Sequence, residues 1–108
     1  MSLSVYWTRL AENKLDDIFS YYETVANTKT AKKIIFGIID TTISLHANPN
    51  IGQIEILLKN RTQNFRYLIY KNYKIIYWIN SSKNRIEIST IFDTRQHPHK
   101  LKTDSSNT

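Results

Sequence analysis

Hydrophobic and polar residues change their period once along this chain, and the change divides it into a helical half and a strand half. Leu3-Ser4-Val5-Tyr6-Trp7 begins by alternating apolar and polar and reads as a first strand, bounded by Thr8. Thr8 can cap a helix in which Ala11, Leu15, Ile18, Phe19, Tyr22 and Val25 recur at spacings of three and four, a single apolar face running to about Ala26. Glu12, Asp16 and Glu23 fall on the other side. Asn27 and Thr28 interrupt the pattern. Ala31, Ile34, Ile35, Ile38, Ile39, Thr42 and Leu45 then form the inner face of a second helix. Gly37 lies inside that helix at a cost in propensity, which close approach of the first helix would explain. The segment Ala47-Asn48-Pro49-Asn50-Ile51-Gly52 ends the helix with turn chemistry. Two helices joined by so short a link predict an antiparallel hairpin.

From there the period becomes two. Residues 54–58 are a short apolar run. Phe65-Arg66-Tyr67-Leu68-Ile69-Tyr70 is a strand, Lys71-Asn72 a two-residue turn in which Asn can take the left-handed conformation, and Tyr73-Lys74-Ile75-Ile76-Tyr77-Trp78-Ile79 the next strand. Residues 80–84 turn again. The last strand, 85–93, carries Ile86, Ile88, Thr90 and Phe92 in alternation. Strands in sequence with tight turns make an antiparallel meander. The prediction is a single α+β domain in the order β-α-α-β-β-β, a helical hairpin packed on a twisted, mainly antiparallel sheet. It spans residues 1–102, followed by a frayed polar tail at 103–108. Alternation groups Arg66 with Leu68 and Tyr70, and Lys74 with Ile76 and Trp78, so Arg66 and Lys74 are expected to project from one side among aromatics. Both faces carry apolar residues, and the pattern does not choose which one the helices cover.

Composition narrows the chemistry. No cysteine is present, which excludes disulfides and thiolate chemistry and suits a reducing cytoplasm. The N-terminus lacks a basic region followed by an apolar stretch, and no apolar run approaches membrane-spanning length, so neither secretion nor a membrane partner is expected. The formal charge of +6 is unevenly held. Residues 1–58 carry five basic and six acidic side chains, residues 59–108 ten basic and three acidic, for net charges of −1 and +7. A positive second half attracts phosphate backbones or an acidic protein. With glycine only at 37 and 52, no glycine-rich phosphate loop can form, and His46, His97 and His99 lack metal-ligand spacing, so neither cofactor nor metal is expected. His46 suits the carbonyls at a helix end, and Asp93 beside Arg95 suits a local ion pair. The aromatics Tyr67, Tyr70, Tyr73, Tyr77 and Trp78 suit cross-strand pairs better than base stacking.

The order of elements over residues 3–101 resembles the RelE/ParE toxin superfamily of type II toxin–antitoxin systems. The segments that carry the likeness are Phe65-Arg66-Tyr67-Leu68-Ile69-Tyr70, then Tyr73-Lys74-Ile75-Ile76-Tyr77, then Ile91-Phe92-Asp93-Thr94-Arg95-Gln96-His97-Pro98. The resemblance implies a toxin that inhibits growth or serves plasmid stabilisation, neutralised by a cognate antitoxin that wraps an amphipathic segment around it. The RelE-like branch resembles ribonucleases that cut messenger RNA in the ribosome; the ParE-like branch resembles poisons of DNA gyrase. A degenerate member that only binds antitoxin is a third possibility.

Metal-free RNA cleavage needs a base for the 2′-hydroxyl, cations for the phosphate and an acid for the leaving oxygen. On the RelE-like reading, the resemblance puts Lys74 at the family's sheet arginine, and Arg66 and Arg95 at basic positions of the neighbouring strand and the C-terminal loop. His97 is then the candidate acid or base, since no tyrosine follows Tyr77. That missing tyrosine and the Arg95-x-x-Pro98 ending lean toward the ParE-like branch. There, Lys59, Arg61, Lys71, Arg95 and Lys100 are candidates for contacting the target without chemistry.

Overall fold

The computed structural model describes residues 2–96 and Leu101; His97, Lys100 and the tail expected at 103–108 lie outside that range. Strand β1 (Ser4–Trp7) leads into α1 (Arg9–Val25), α2 (Thr28–Thr41) and a 3₁₀ turn at Ile43–His46. Four further strands follow: β2 (Gln53–Ile54), β3 (Arg66–Tyr70), β4 (Tyr73–Asn80) and β5 (Arg85–Asp93). The sheet order is β1-β5-β4-β3-β2, with β1 parallel to β5 and every other pair antiparallel. The expected α+β hairpin-on-sheet architecture is therefore observed, with one strand added. The apolar run at 54–58 divides after Ile54: β2 pairs with β3 for two residues, and Ile56–Leu58 turn as a 3₁₀ segment of which only Leu58 is buried.

Local chemistry explains the joints. The Thr8 side chain accepts from the Ala11 N–H at 3.2 Å, which caps α1. Its hydroxyl reaches the carbonyls of Ile88 (2.9 Å) and Ser89 (3.0 Å), so the start of α1 is tied to β5. Asn27 caps α2 through the Thr30 N–H at 2.7 Å. The β3–β4 turn puts Lys71, not Asn72, in the left-handed region (φ 53°). Asn72 is used otherwise: its carbonyl accepts the Thr94 N–H at 2.8 Å and its amide donates to Asp93 at 3.1 Å.

The helices cover the face that carries Leu68, Tyr70, Tyr73, Ile75, Tyr77, Ile86, Ile88 and Ile91, and Ala11, Ile34, Ile38 and Leu45 fill the layer between. The opposite face holds a second cluster, in which Leu58, Phe65 and Leu101 cover Ile76 and Phe92. A β-bulge on β5 makes both possible. Ile76 pairs with Thr90 but Tyr77 pairs with Ile88, so Ser89 is an extra residue and the alternation expected along 86–92 breaks there. Ile86, Ile88 and Ile91 consequently face the helices, while Thr90 and Phe92 face away. Two further expectations are corrected. Gly37 makes room not for α1 but for Tyr70 of β3, since a Cβ there would run into its ring. Ile39 and Val25 are exposed rather than inward, at 36% and 59%.

Candidate functional site

The cations that sequence reasoning grouped are separated by the register of the β3–β4 hairpin. Tyr70 pairs with Tyr73, Leu68 with Ile75 and Arg66 with Tyr77, so the even-numbered residues of β3 share a face with the odd-numbered residues of β4. Lys74 pairs with Ile69, on the other face. The expectation that Arg66 and Lys74 project together is therefore overturned, because a two-residue turn inverts the parity between its strands.

Each cation is held locally. The Arg66 guanidinium donates to the carbonyls of Gly52 (2.8 Å) and Asn50 (3.3 Å), on the helix side of the sheet. Beside it the buried Tyr77 hydroxyl accepts from the Gly52 N–H at 2.9 Å and donates to the Pro49 carbonyl at 2.8 Å. Burial raises the Tyr77 hydroxyl above the ordinary tyrosine value. Arg66 and Tyr77 together clamp the loop that leads into β2. On the opposite face Lys74 Nζ lies 2.8 Å from Glu55 Oε2 and 4.3 Å from the centre of the Tyr67 ring. The Glu55 side chain is only 2% exposed, and its other oxygen accepts the Leu57 N–H at 3.2 Å.

Arg95 stands at the far end of the sheet from Arg66. Asp93 faces Tyr73 across β4, and Tyr73 is four residues from Tyr77, about 13 Å along the strand. Arg95 forks onto Asp93 through Nε (3.0 Å) and Nη2 (2.7 Å), as its sequence neighbourhood predicts. The side-chain bond from Arg95 holds the Asp93 carboxyl down at about 2. Arg95 also lines an open groove of about 420 Å³ between α1 and the end of β5, together with Lys14, Asp17, Tyr21 and Tyr73. The Tyr73 hydroxyl donates to that of Tyr22 at 3.4 Å, and burial first, then this bond, pushes it well above the ordinary tyrosine value.

Lys71 shares this end of the sheet, exposed in the turn beside Asn72 and 5.6 Å from the Tyr70 ring centre. Lys59 and Arg61 belong to the segment between β2 and β3, which folds over the Lys74 face. His97 and Lys100 lie outside the described residues. His46 does not serve helix-end carbonyls: its Nδ1 donates to the Leu3 carbonyl at 2.7 Å and pins the lead into β1. Sequence reasoning passed over Glu55, whose signal was one acid inside the apolar run Ile54-Glu55-Ile56-Leu57-Leu58. Among the described residues no cluster of three metal-ligating side chains occurs, and no helix is long and apolar enough to cross a membrane.

Comparison with known proteins places this geometry. The sequence matches the family described as ParE toxin of type II toxin–antitoxin system, parDE, over residues 5–98. Among solved structures, the fold is similar to a chain of the chromosomal ParDE toxin–antitoxin system from P. aeruginosa (TM-score 0.71, 21% identity, 85% of this chain and 96% of that one covered). It is also similar to a chain of the toxin–antitoxin complex RelBE2 from Mycobacterium tuberculosis (TM-score 0.61, 14% identity, 86% and 92% covered). At these identities the structural likenesses speak for the fold alone. No curated protein sequence matches. The family match spans most of the sequence, and the chain belongs to the ParE toxin family of type II toxin–antitoxin systems.

Proposed function

We propose that this chain is a growth-arresting toxin of the ParE-like kind, which acts in the cytoplasm by holding DNA gyrase through its surface and is neutralised by a cognate antitoxin. The observation that carries this reading is the dispersal of its cations. Metal-free cleavage of RNA needs its cations and its acid or base to meet at one phosphate. Arg66 and Lys74 lie on opposite faces of the sheet, and Arg95 lies at the far end from Arg66. Lys74 is neutralised by a buried carboxylate, and Arg66 is spent on two backbone carbonyls. A target-binding role asks no such convergence. Arg95, fixed by Asp93 at the mouth of the α1–β5 groove, and Lys71 at the same end are then contact residues, with Lys59, Arg61 and Lys100 as further candidates. The antitoxin is supported by the family and by the toxin–antitoxin complexes that share the fold.

The test is expression without antitoxin, followed by mapping of messenger RNA 5′ ends and a supercoiling assay with purified gyrase. Growth arrest, no new cuts within translated codons and inhibited supercoiling are expected. New in-frame cuts would overturn the reading in favour of a ribosome-dependent endoribonuclease, and catalytic roles for Arg66, Lys74, Arg95 and His97 would return. Harmless expression would mark a degenerate, antitoxin-binding member.

A further inference from the structure

Helix α2 buries Ala31, Ile34 and Ile38, yet its apolar surface continues around the helix. Phe36, Ile39 and Ile43 remain 64%, 36% and 55% exposed, spaced by three and four residues, so they form one stripe on the outer side. A single exposed apolar residue needs no explanation, but a contiguous stripe marks a contact. Charges frame it. Lys32 and Asp40 stand four residues before and four after Phe36, each about 6 Å away along the axis, on the same ridge of the helix. Both are exposed, and neither makes an ion pair among the described residues.

This ridge is complementary to itself when inverted. If two copies of α2 cross antiparallel about a twofold axis at Phe36, Phe36 meets Phe36, Lys32 of each copy meets Asp40 of the other, and this one ion pair forms twice by symmetry. Ile39 and Ile43 then lie opposite the aliphatic stems of Lys33 and Lys29, which can cover apolar surface while their ammonium groups stay in water. Charge does not oppose the approach: α1 and α2 together carry five basic and five acidic side chains, whereas residues 59–108 carry a net +7. We propose that the outer stripe of α2 is a self-association surface, and that two copies of this chain pair there, leaving the sheet and the Arg95 groove free on the outside.

The test is sedimentation equilibrium of the refolded full chain from micromolar to several hundred micromolar, with circular dichroism to confirm the fold. The parent should pass from one chain mass to two. Phe36→Asp should stay monomeric. Lys32→Asp and Asp40→Lys should each weaken pairing by about tenfold or more, because each sets like charges opposite one another twice. The double variant Lys32→Asp/Asp40→Lys should restore it, since the inverted pairs re-form. Rescue by the double swap is not expected of a merely structural effect. A parent that is monomeric throughout, or a dimer indifferent to the swaps, would overturn the proposal. So would a Phe36→Asp variant that loses antitoxin affinity while the parent's mass stays that of one chain; the stripe would then belong to the antitoxin.

Discussion

Replacing Lys74 and replacing Glu55 should not cost the same, although the two are partners in one ion pair. Glu55 is 2% exposed and Lys74 21%, and they meet at 2.8 Å. In Lys74→Met the carboxylate stays buried, with the Leu57 N–H at 3.2 Å as its remaining donor. An uncompensated buried charge costs about 3–5 kcal/mol. In Glu55→Gln the amide oxygen can still take the Leu57 N–H, and Lys74 can slide along the Tyr67 ring toward water. That leaves roughly the loss of one charge-assisted hydrogen bond, about 1–2 kcal/mol. The difference of about 2 kcal/mol corresponds to a gap of roughly 10 °C in Tm for a domain of this size. Exchanging both for Met and Leu should recover most of the loss, because an apolar pair of similar volume avoids the desolvation penalty. Urea unfolding at neutral pH followed by circular dichroism reads all four proteins. Equal losses, or a larger one for Glu55→Gln, would refute the argument that burial of the carboxylate sets the cost.

Three other outcomes follow from the geometry. Tyr77→Phe should destabilise by about 1–3 kcal/mol in urea unfolding, because it strips partners from the Gly52 N–H and the Pro49 carbonyl and loosens the loop into β2. Asp93 holds its proton less tightly folded than unfolded, at about 2 against 3.8. Its stabilisation is therefore complete above about pH 4 and disappears as pH falls through about 2. The urea midpoint of Asp93→Asn, plotted against pH, should accordingly be flatter than that of the parent between pH 5 and 2. Lys71 occupies the left-handed region at φ 53°, so Lys71→Gly should raise the thermal midpoint, with a gain of about 0.5–1 kcal/mol after the added freedom of the unfolded glycine is subtracted.

The change from helical to strand period was legible because it is long and regular: Ala31, Ile34, Ile38 and Leu45 are all buried, as their spacing demands. The caps at Thr8 and Asn27 follow from side-chain chemistry at positions where a pattern starts. What failed concerns relations between elements. Alternation sorts residues within a strand but is silent on the neighbour; the turn decides that. The Lys71-Asn72 turn already implied that Tyr70 faces Tyr73, and Arg66 and Lys74 could have been assigned to opposite sides from it. Gly37 and His46 were misread for a like reason. Each serves a contact distant in sequence, with Tyr70 and with Leu3, which no local pattern announces. The Glu55–Lys74 pair spans nineteen positions and was invisible on the same ground.

The extra residue at Ser89 has a consequence for how this sequence can drift. It works as a phase shifter: β5 enters with even-numbered residues toward the helices and leaves with odd-numbered ones, Ile91 and Asp93. The Asp93–Arg95 fork holds its helix-side position through the pairing of Asp93 with Tyr73. Substitutions along β5 act one side chain at a time, but a single-residue deletion between Ile88 and Ile91 would take out the extra residue and leave a regular ladder, with Tyr77 still facing Ile88 and Ile75 still facing Ile91. Phe92 and Ile91 would keep their faces, and the fork its place on the helix side. Thr8, which takes the carbonyls of both Ile88 and Ser89, ties that phase to the start of α1. The bulge is therefore where this strand can lose a residue without exchanging its faces, and relatives that keep the groove at α1 can differ here by loss of one residue as well as by exchange.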